Sequence, residues 1–61
     1  MTIQEQYKYN IDVYHQYETM IRRFENSNED PSQILDLIAE QKKYFRLANE
    51  AKRTLEEMSF A

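Results

Sequence analysis

Apolar residues recur along the chain at alternating steps of three and four, in two segments that flank a polar break from Asn26 to Pro31. Such steps keep side chains on one face of a helix. In the first segment this face consists of Ile3, Tyr7, Asn10, Tyr14, Tyr17, Ile21 and Phe24. In the second it consists of Ile34, Leu37, Gln41, Tyr44, Ala48, Ala51, Leu55 and Met58. The pattern predicts two amphipathic helices, and we call the two faces together the seam.

The polar break carries residues that begin a helix. Asp30 can accept a hydrogen bond as an N-cap, and Pro31 suits the first helical position. Gln33 stands where a capping box places its amide. Because glycine is absent, Asn26 or Asn28 is the candidate for a left-handed residue that ends the first helix.

The predicted fold class is all-α, an antiparallel two-helix hairpin in a single domain that covers residues 1–61. Its first helix covers residues 3–26, its loop residues 27–30 and its second helix residues 31–58. In such a hairpin, residues whose numbers sum to about 58 face each other, which pairs Tyr14 with Tyr44.

The flanks of the seam are predicted to be apolar as well, with Ile11 and Phe45 on one side and Val13 and Leu47 on the other. A chain of 61 residues without cysteine buries too little surface for a deep core, and monomers seldom leave contiguous apolar patches uncovered. We therefore predict that two copies pack into a four-helix bundle. The predicted dimer interface consists of Ile11, Val13, Tyr14, Tyr17, Tyr44, Phe45 and Leu47.

Two polar residues interrupt the seam, Asn10 in the first helix and Gln41 in the second. Buried polar residues in coiled coils can fix register and oligomeric state. Alternatively, these positions mark where the seam opens to solvent. The sequence leaves both interpretations open.

Residues that support catalysis or metal binding are scarce. The one histidine, His15, falls on the outer face of the first helix, and neither serine nor cysteine stands at a matching helical spacing. A single histidine without cysteine offers no ligand set for an ordinary structural zinc site. Absence of glycine removes the usual phosphate-cradling loops. We expect a protein that is not an enzyme and needs no cofactor.

The charged residues point to a protein partner. The formal net charge is −3, and acidic and basic residues are interspersed along the chain, so nucleic acid is not the expected partner. Tyrosine and arginine are enriched at protein interfaces, although tyrosines at helical spacing also serve as core. The predicted partner-binding residues combine an off-seam aromatic with outer cations: Tyr9, Arg23, Lys42, Lys43 and Arg46.

One short segment resembles a known signature. The run from Ser32 to Asp36, Ser-Gln-Ile-Leu-Asp, is similar to the Ser-Gln-Glu-Leu-Asp motif of the small sporulation aspartyl-phosphate phosphatases, with Ile34 in place of glutamate. The resemblance covers five residues. It implies an accessory phosphatase-like regulator in which Asp36 acts on a response regulator.

A second resemblance is to the repressor-of-primer family of homodimeric hairpins that bind paired RNA loops. Met1-Thr2, Gln4-Glu5 and Asn10 are similar to the start of that family, and Tyr14 matches an aromatic residue. The resemblance implies RNA contacts by Asn10 and Tyr14.

The function that the residues favour is a protein-protein interaction module, a small bacterial or phage regulator or inhibitor that acts as a homodimer. The N-terminal residues lack the basic start and apolar stretch of a secretion signal, and no run approaches a membrane span in length. We therefore expect a cytoplasmic protein that binds itself and another protein, with no membrane partner.

Overall fold

The computed structural model describes residues 1–27 and 30–59, and within these ranges it confirms the all-helical hairpin. Helix α1 spans Ile3–Asn26 and helix α2 spans Pro31–Ser59. The two helices pack against each other, and the described ranges contain no strand. Asn28 and Glu29 of the predicted loop lie outside the described residues. Helix α2 continues one residue past its predicted end.

Helix α1 begins with a capping box that the sequence analysis missed. The hydroxyl of Thr2 accepts a hydrogen bond from the backbone N–H of Glu5 at 3.1 Å. In return, Oε1 of Glu5 accepts one from the backbone N–H of Thr2 at 3.3 Å. The Thr-x-x-Glu spacing at the start of an apolar repeat is the signal that would have revealed it.

Helix α2 begins as the sequence predicts, with Asp30 as its cap. The Asp30 carboxylate accepts a hydrogen bond from the backbone N–H of Ser32 at 3.0 Å. The backbone carbonyl of Asp30 accepts another from the N–H of Gln33, also at 3.0 Å. These bonds satisfy N–H groups that the first helical turn leaves without intrahelical acceptors.

Helix α1 ends at Asn26, the predicted boundary, but the residue that terminates it differs from the prediction. Asn26 is helical, so it is not a left-handed terminating residue, and Asn28 lies outside the described residues. Ser27 ends the helix instead, with φ −95° and ψ 3°. Its backbone N–H donates to the Arg23 carbonyl at 3.1 Å, and its hydroxyl donates to the Phe24 carbonyl at 3.2 Å. These bonds satisfy two late carbonyls without a residue in the left-handed region.

The core of the hairpin is thin. Only three described residues are buried, namely Ile21, Ala48 and Ala51. The other seam residues are half-buried, except Met58, which remains 62% exposed. The whole rod measures 50 × 16 × 14 Å.

The aromatic contacts across the seam define its register. The rings of Tyr17 and Tyr44 stack with centroids 5.7 Å apart, and those of Tyr14 and Phe45 lie 5.5 Å apart. The predicted pairing of Tyr14 with Tyr44 is therefore wrong for the rings. The numbers of the contacting residues sum to 61 and 59, somewhat above the predicted 58. Helical side chains lean toward the N-terminus of their own helix by about one residue, which raises the sum by about two.

Candidate functional site

A shallow groove runs along the outer surface of α2. Its lining residues all come from this one helix, because residues three, four, seven, eight and eleven positions after the first lie on the same face. All six are exposed. They are Lys42, Phe45, Arg46, Asn49, Glu50 and Arg53. We call this surface the α2 groove.

Phe45 is the apolar residue of the α2 groove. Its ring contacts Tyr14 of α1 at 5.5 Å between centroids and an interplanar angle of 42°, yet Phe45 is 49% exposed. Phe45 thus contacts α1 while about half of the residue remains exposed to solvent. A held aromatic ring costs little side-chain entropy when a partner covers it, which suits an anchor residue.

The cations of the groove lack carboxylate partners among the described residues. No described carboxylate oxygen lies within 4.0 Å of Lys42, Arg46 or Arg53. Both ion pairs of the described chain belong to α1. Glu50 lines the same groove but is not within that distance of either arginine. The groove therefore presents three cations and one acid to solvent.

The predicted partner-binding residues separate into two groups. Lys42 and Arg46 line the α2 groove, whereas Lys43 does not; its ammonium nitrogen lies 6.0 Å from the centroid of the Tyr44 ring. Tyr9, which is 53% exposed, and Arg23 lie on α1. The structure thus brings two of the five predicted residues together.

Sequence reasoning missed the remaining lining residues of the groove. Arg53 was visible only as one of several basic residues, and Phe45 was assigned to the dimer interface. Positions 42, 46, 49 and 53 follow steps of four, three and four. The same periodicity that revealed the seam would therefore have revealed this second, polar face.

The predicted dimer-interface residues are placed as follows. Tyr14, Tyr17 and Tyr44 are half-buried, and their rings are engaged within the hairpin. Ile11 and Val13 on the flanks are half-buried. Leu47 is 37% exposed. Asn10 and Gln41 are likewise half-buried, so in the hairpin each retains access to water.

His15 belongs to a small polar cluster on α1. Its Nδ1 lies 3.5 Å from Oε2 of Glu18, and Nη2 of Arg22 lies 3.5 Å from the other carboxylate oxygen. The imidazole ring meets the Tyr14 ring edge-on at 5.5 Å. The side chain of His15 is 64% exposed, so this cluster resembles an ordinary solvated helix surface.

Other kinds of site find little support in the described ranges. Within residues 1–27 and 30–59, no group of three histidine, cysteine or acidic residues is arranged to hold a metal ion. Neither described helix combines the length and apolar character required to traverse a bilayer. Asp36, the acid of the phosphatase-like segment, is exposed on α2.

Comparison with known proteins gives no relative: no family model, no curated protein and no solved structure matches this chain. The two resemblances in the sequence therefore remain predictions from short motifs.

Proposed function

We propose that this chain is a non-enzymatic protein-protein interaction module, a small cytoplasmic regulator or inhibitor of bacterial or phage origin that acts as a homodimer. The observation that supports the proposal is the surface of the hairpin. The chain exposes 5035 Å², whereas a compact monomer of 7.5 kDa is expected to expose about 4,200 Å².

The size of this excess fits an interface. It amounts to roughly 800 Å², which is about the area that one partner buries in a standard protein-protein contact. Exposed apolar side chains accompany it on both flanks, Phe45 at 49% and Leu47 at 37%. A second copy that covers one flank would complete an antiparallel four-helix bundle and enlarge the thin core.

Sedimentation equilibrium and thermal melting over a wide concentration range test the dimer. For a dimer, tenfold dilution should lower the melting temperature by roughly 5 °C through mass action. Leu47→Glu should weaken dimerisation because it buries a charge at the interface. Ala39→Glu is the matched control, since Ala39 is exposed on the same helix. A monomer at tens of micromolar with a concentration-independent melt would contradict the dimer.

Binding to a second protein is the other half of the proposal. Tagged protein should co-purify a partner from its native host, and the double variant Lys42→Glu/Arg46→Glu should lose that partner while keeping its helicity and its oligomeric state. Charge reversal on exposed positions of α2 changes no buried contact. Retention of the partner by this variant would remove the outer cations from the proposal.

A further inference from the structure

We infer that the α2 groove binds an acidic amphipathic helix that carries an apolar residue. This inference rests on the proposed function and adds the chemistry of the partner. It starts from the juxtaposition of a half-exposed aromatic ring, Phe45, with the cations Lys42, Arg46 and Arg53 in one groove.

The cations favour carboxylates on the partner. The chain as a whole is acidic, with a formal net charge of −3, so the groove is a local reversal of sign. Its three cations lie more than 4.0 Å from every described carboxylate. Their charge is therefore available to a partner, and a complementary acid gains a charge-assisted hydrogen bond without first displacing an internal ion pair.

The spacing of the groove favours a helix over an extended segment. With a rise of 1.5 Å per residue, Arg46 lies about 6 Å and Arg53 about 16 Å along the axis from Lys42. A second helix that lies alongside α2 can place one acidic residue opposite each of the three cations. Its second and third acids must then follow the first by four and eleven positions. A leucine or another apolar residue between the first two acids would meet the open side of Phe45, as in other helix-in-groove complexes.

A second copy of this chain is a poorer occupant of the groove. Dimers with a two-fold axis place the same patch on both sides of the interface, so the three cations would face three cations, which costs energy. The opposite flank, which carries Val13 and Leu47, remains free for the second copy. Under this arrangement dimerisation and partner binding use different faces.

RNA is also a poorer occupant. Three phosphate contacts would give a salt slope of only about −2 for a single strand, whereas nucleic-acid binders of useful affinity make many more contacts. Glu50 lines the groove and would repel a phosphate backbone, whereas a protein partner can place a donor against it.

The probe is a synthetic peptide of about 20 residues, long enough to be helical. It carries three glutamates, the second and third at four and eleven positions after the first, and a leucine between the first two. The readout is amide chemical shifts of the isotope-labelled chain, with affinity from the titration. Shifts should concentrate at the six residues that line the α2 groove. A control peptide with glutamine for every glutamate should bind at least about tenfold more weakly.

Two adjacent lysines provide matched variants. Lys42→Glu should weaken binding of the acidic peptide about tenfold, whereas Lys43→Glu should change it less than about twofold. Both variants alter the net charge equally, and only Lys42 lines the groove. Circular dichroism checks that both fold, and Lys42→Gln replaces Lys42→Glu if the reversal unfolds the hairpin.

Several outcomes would overturn the inference. If Lys42→Glu and Lys43→Glu weaken peptide binding equally, the attraction is non-specific. If the glutamine peptide binds as tightly as the glutamate peptide, the partner's carboxylates do not contribute to recognition. Shifts centred on the opposite flank would relocate the site, and displacement of the peptide by an RNA hairpin would favour nucleic acid. If wild-type protein captures a host partner but does not bind the peptide, this inference fails while the proposed function stands. If no host partner is captured but the peptide binds in the groove, the proposed function fails instead.

Discussion

The two helices treat their apolar residues differently. α1 leaves only Tyr9 exposed among its described large apolar side chains, whereas α2 leaves Leu35, Phe45, Leu47 and Met58 exposed. The buried residues of the two helices also differ in size. The buried residues of α2 are alanines, whereas the buried residue of α1 is an isoleucine. The small residues Ala48 and Ala51 let the helices approach closely, whereas Phe45 and Leu47 stand on the flanks of the seam. In the described hairpin, α2 therefore carries most of the exposed large apolar side chains.

The largest expected effect tests whether the buried residues of the seam supply most of the stability of the hairpin. Ile21→Ala should lower the free energy of unfolding by about 3 kcal/mol, since it empties a buried position. Leu35→Ala should change it by less than about 0.5 kcal/mol because Leu35 is 66% exposed. Urea denaturation of both variants at one concentration measures the difference. A costly Leu35→Ala would mean that α2 buries this side chain in the assembly.

The alanine seam of α2 gives the next effect. Ala48 is 1% exposed, so Ala48→Leu should force the helices apart and lower the free energy of unfolding by about 1–3 kcal/mol. Ala39→Leu is the same change at an exposed position of the same helix and should be nearly neutral. If Ala48→Leu proves stabilising in chemical denaturation, the seam can accommodate a larger side chain at this position. The helices would then not be closely packed at Ala48.

The all-helical fold was predictable because its causes are local and repeat along the chain. The three-and-four spacing indicates the seam, and Asp30 with Pro31 marks the start of α2. The ring pairs were not predictable from residue numbers alone, because they depend on which way side chains lean. The residue that terminates α1 was missed, because Ser27 satisfies late carbonyls by a route that has no strong residue preference.

The α2 groove was only half predictable. Its basic residues were visible as sequence neighbours, and runs such as Lys42-Lys43 suggest a single patch. A helix turns by about 100° between consecutive residues, so neighbours in sequence point to different faces. Lys42 lines the groove and Lys43 does not. This difference follows from helical periodicity and not from composition.

A smaller effect compares how the two helices begin. Asp30→Ala removes the acceptor for the Ser32 N–H and should cost about 1 kcal/mol of stability. Thr2→Ala breaks the capping box of α1 and should cost a similar amount. Asp36→Ala is the control for α2, because Asp36 is an exposed residue inside the helix and should be worth less than about 0.5 kcal/mol. Equal losses at Asp30 and Asp36, measured by thermal denaturation, would point to a general charge effect instead of capping.

The smallest effect concerns surface charge, which α1 and α2 also arrange differently. On α1, Glu18 lies 3.5 Å from both His15 and Arg22, whereas Lys42 on α2 has no described carboxylate within 4.0 Å. Glu18→Gln should lower stability by at most about 0.5 kcal/mol, since the side chains of His15 and Arg22 are 64% and 75% exposed and that of Glu18 is 43% exposed. That loss should shrink in 1 M salt through screening, where the Debye length is about 3 Å. Lys42→Gln should leave stability unchanged at any salt concentration while it weakens partner binding. A Lys42→Gln variant that is clearly destabilised at low salt would show that this cation serves the fold of α2 and not its groove.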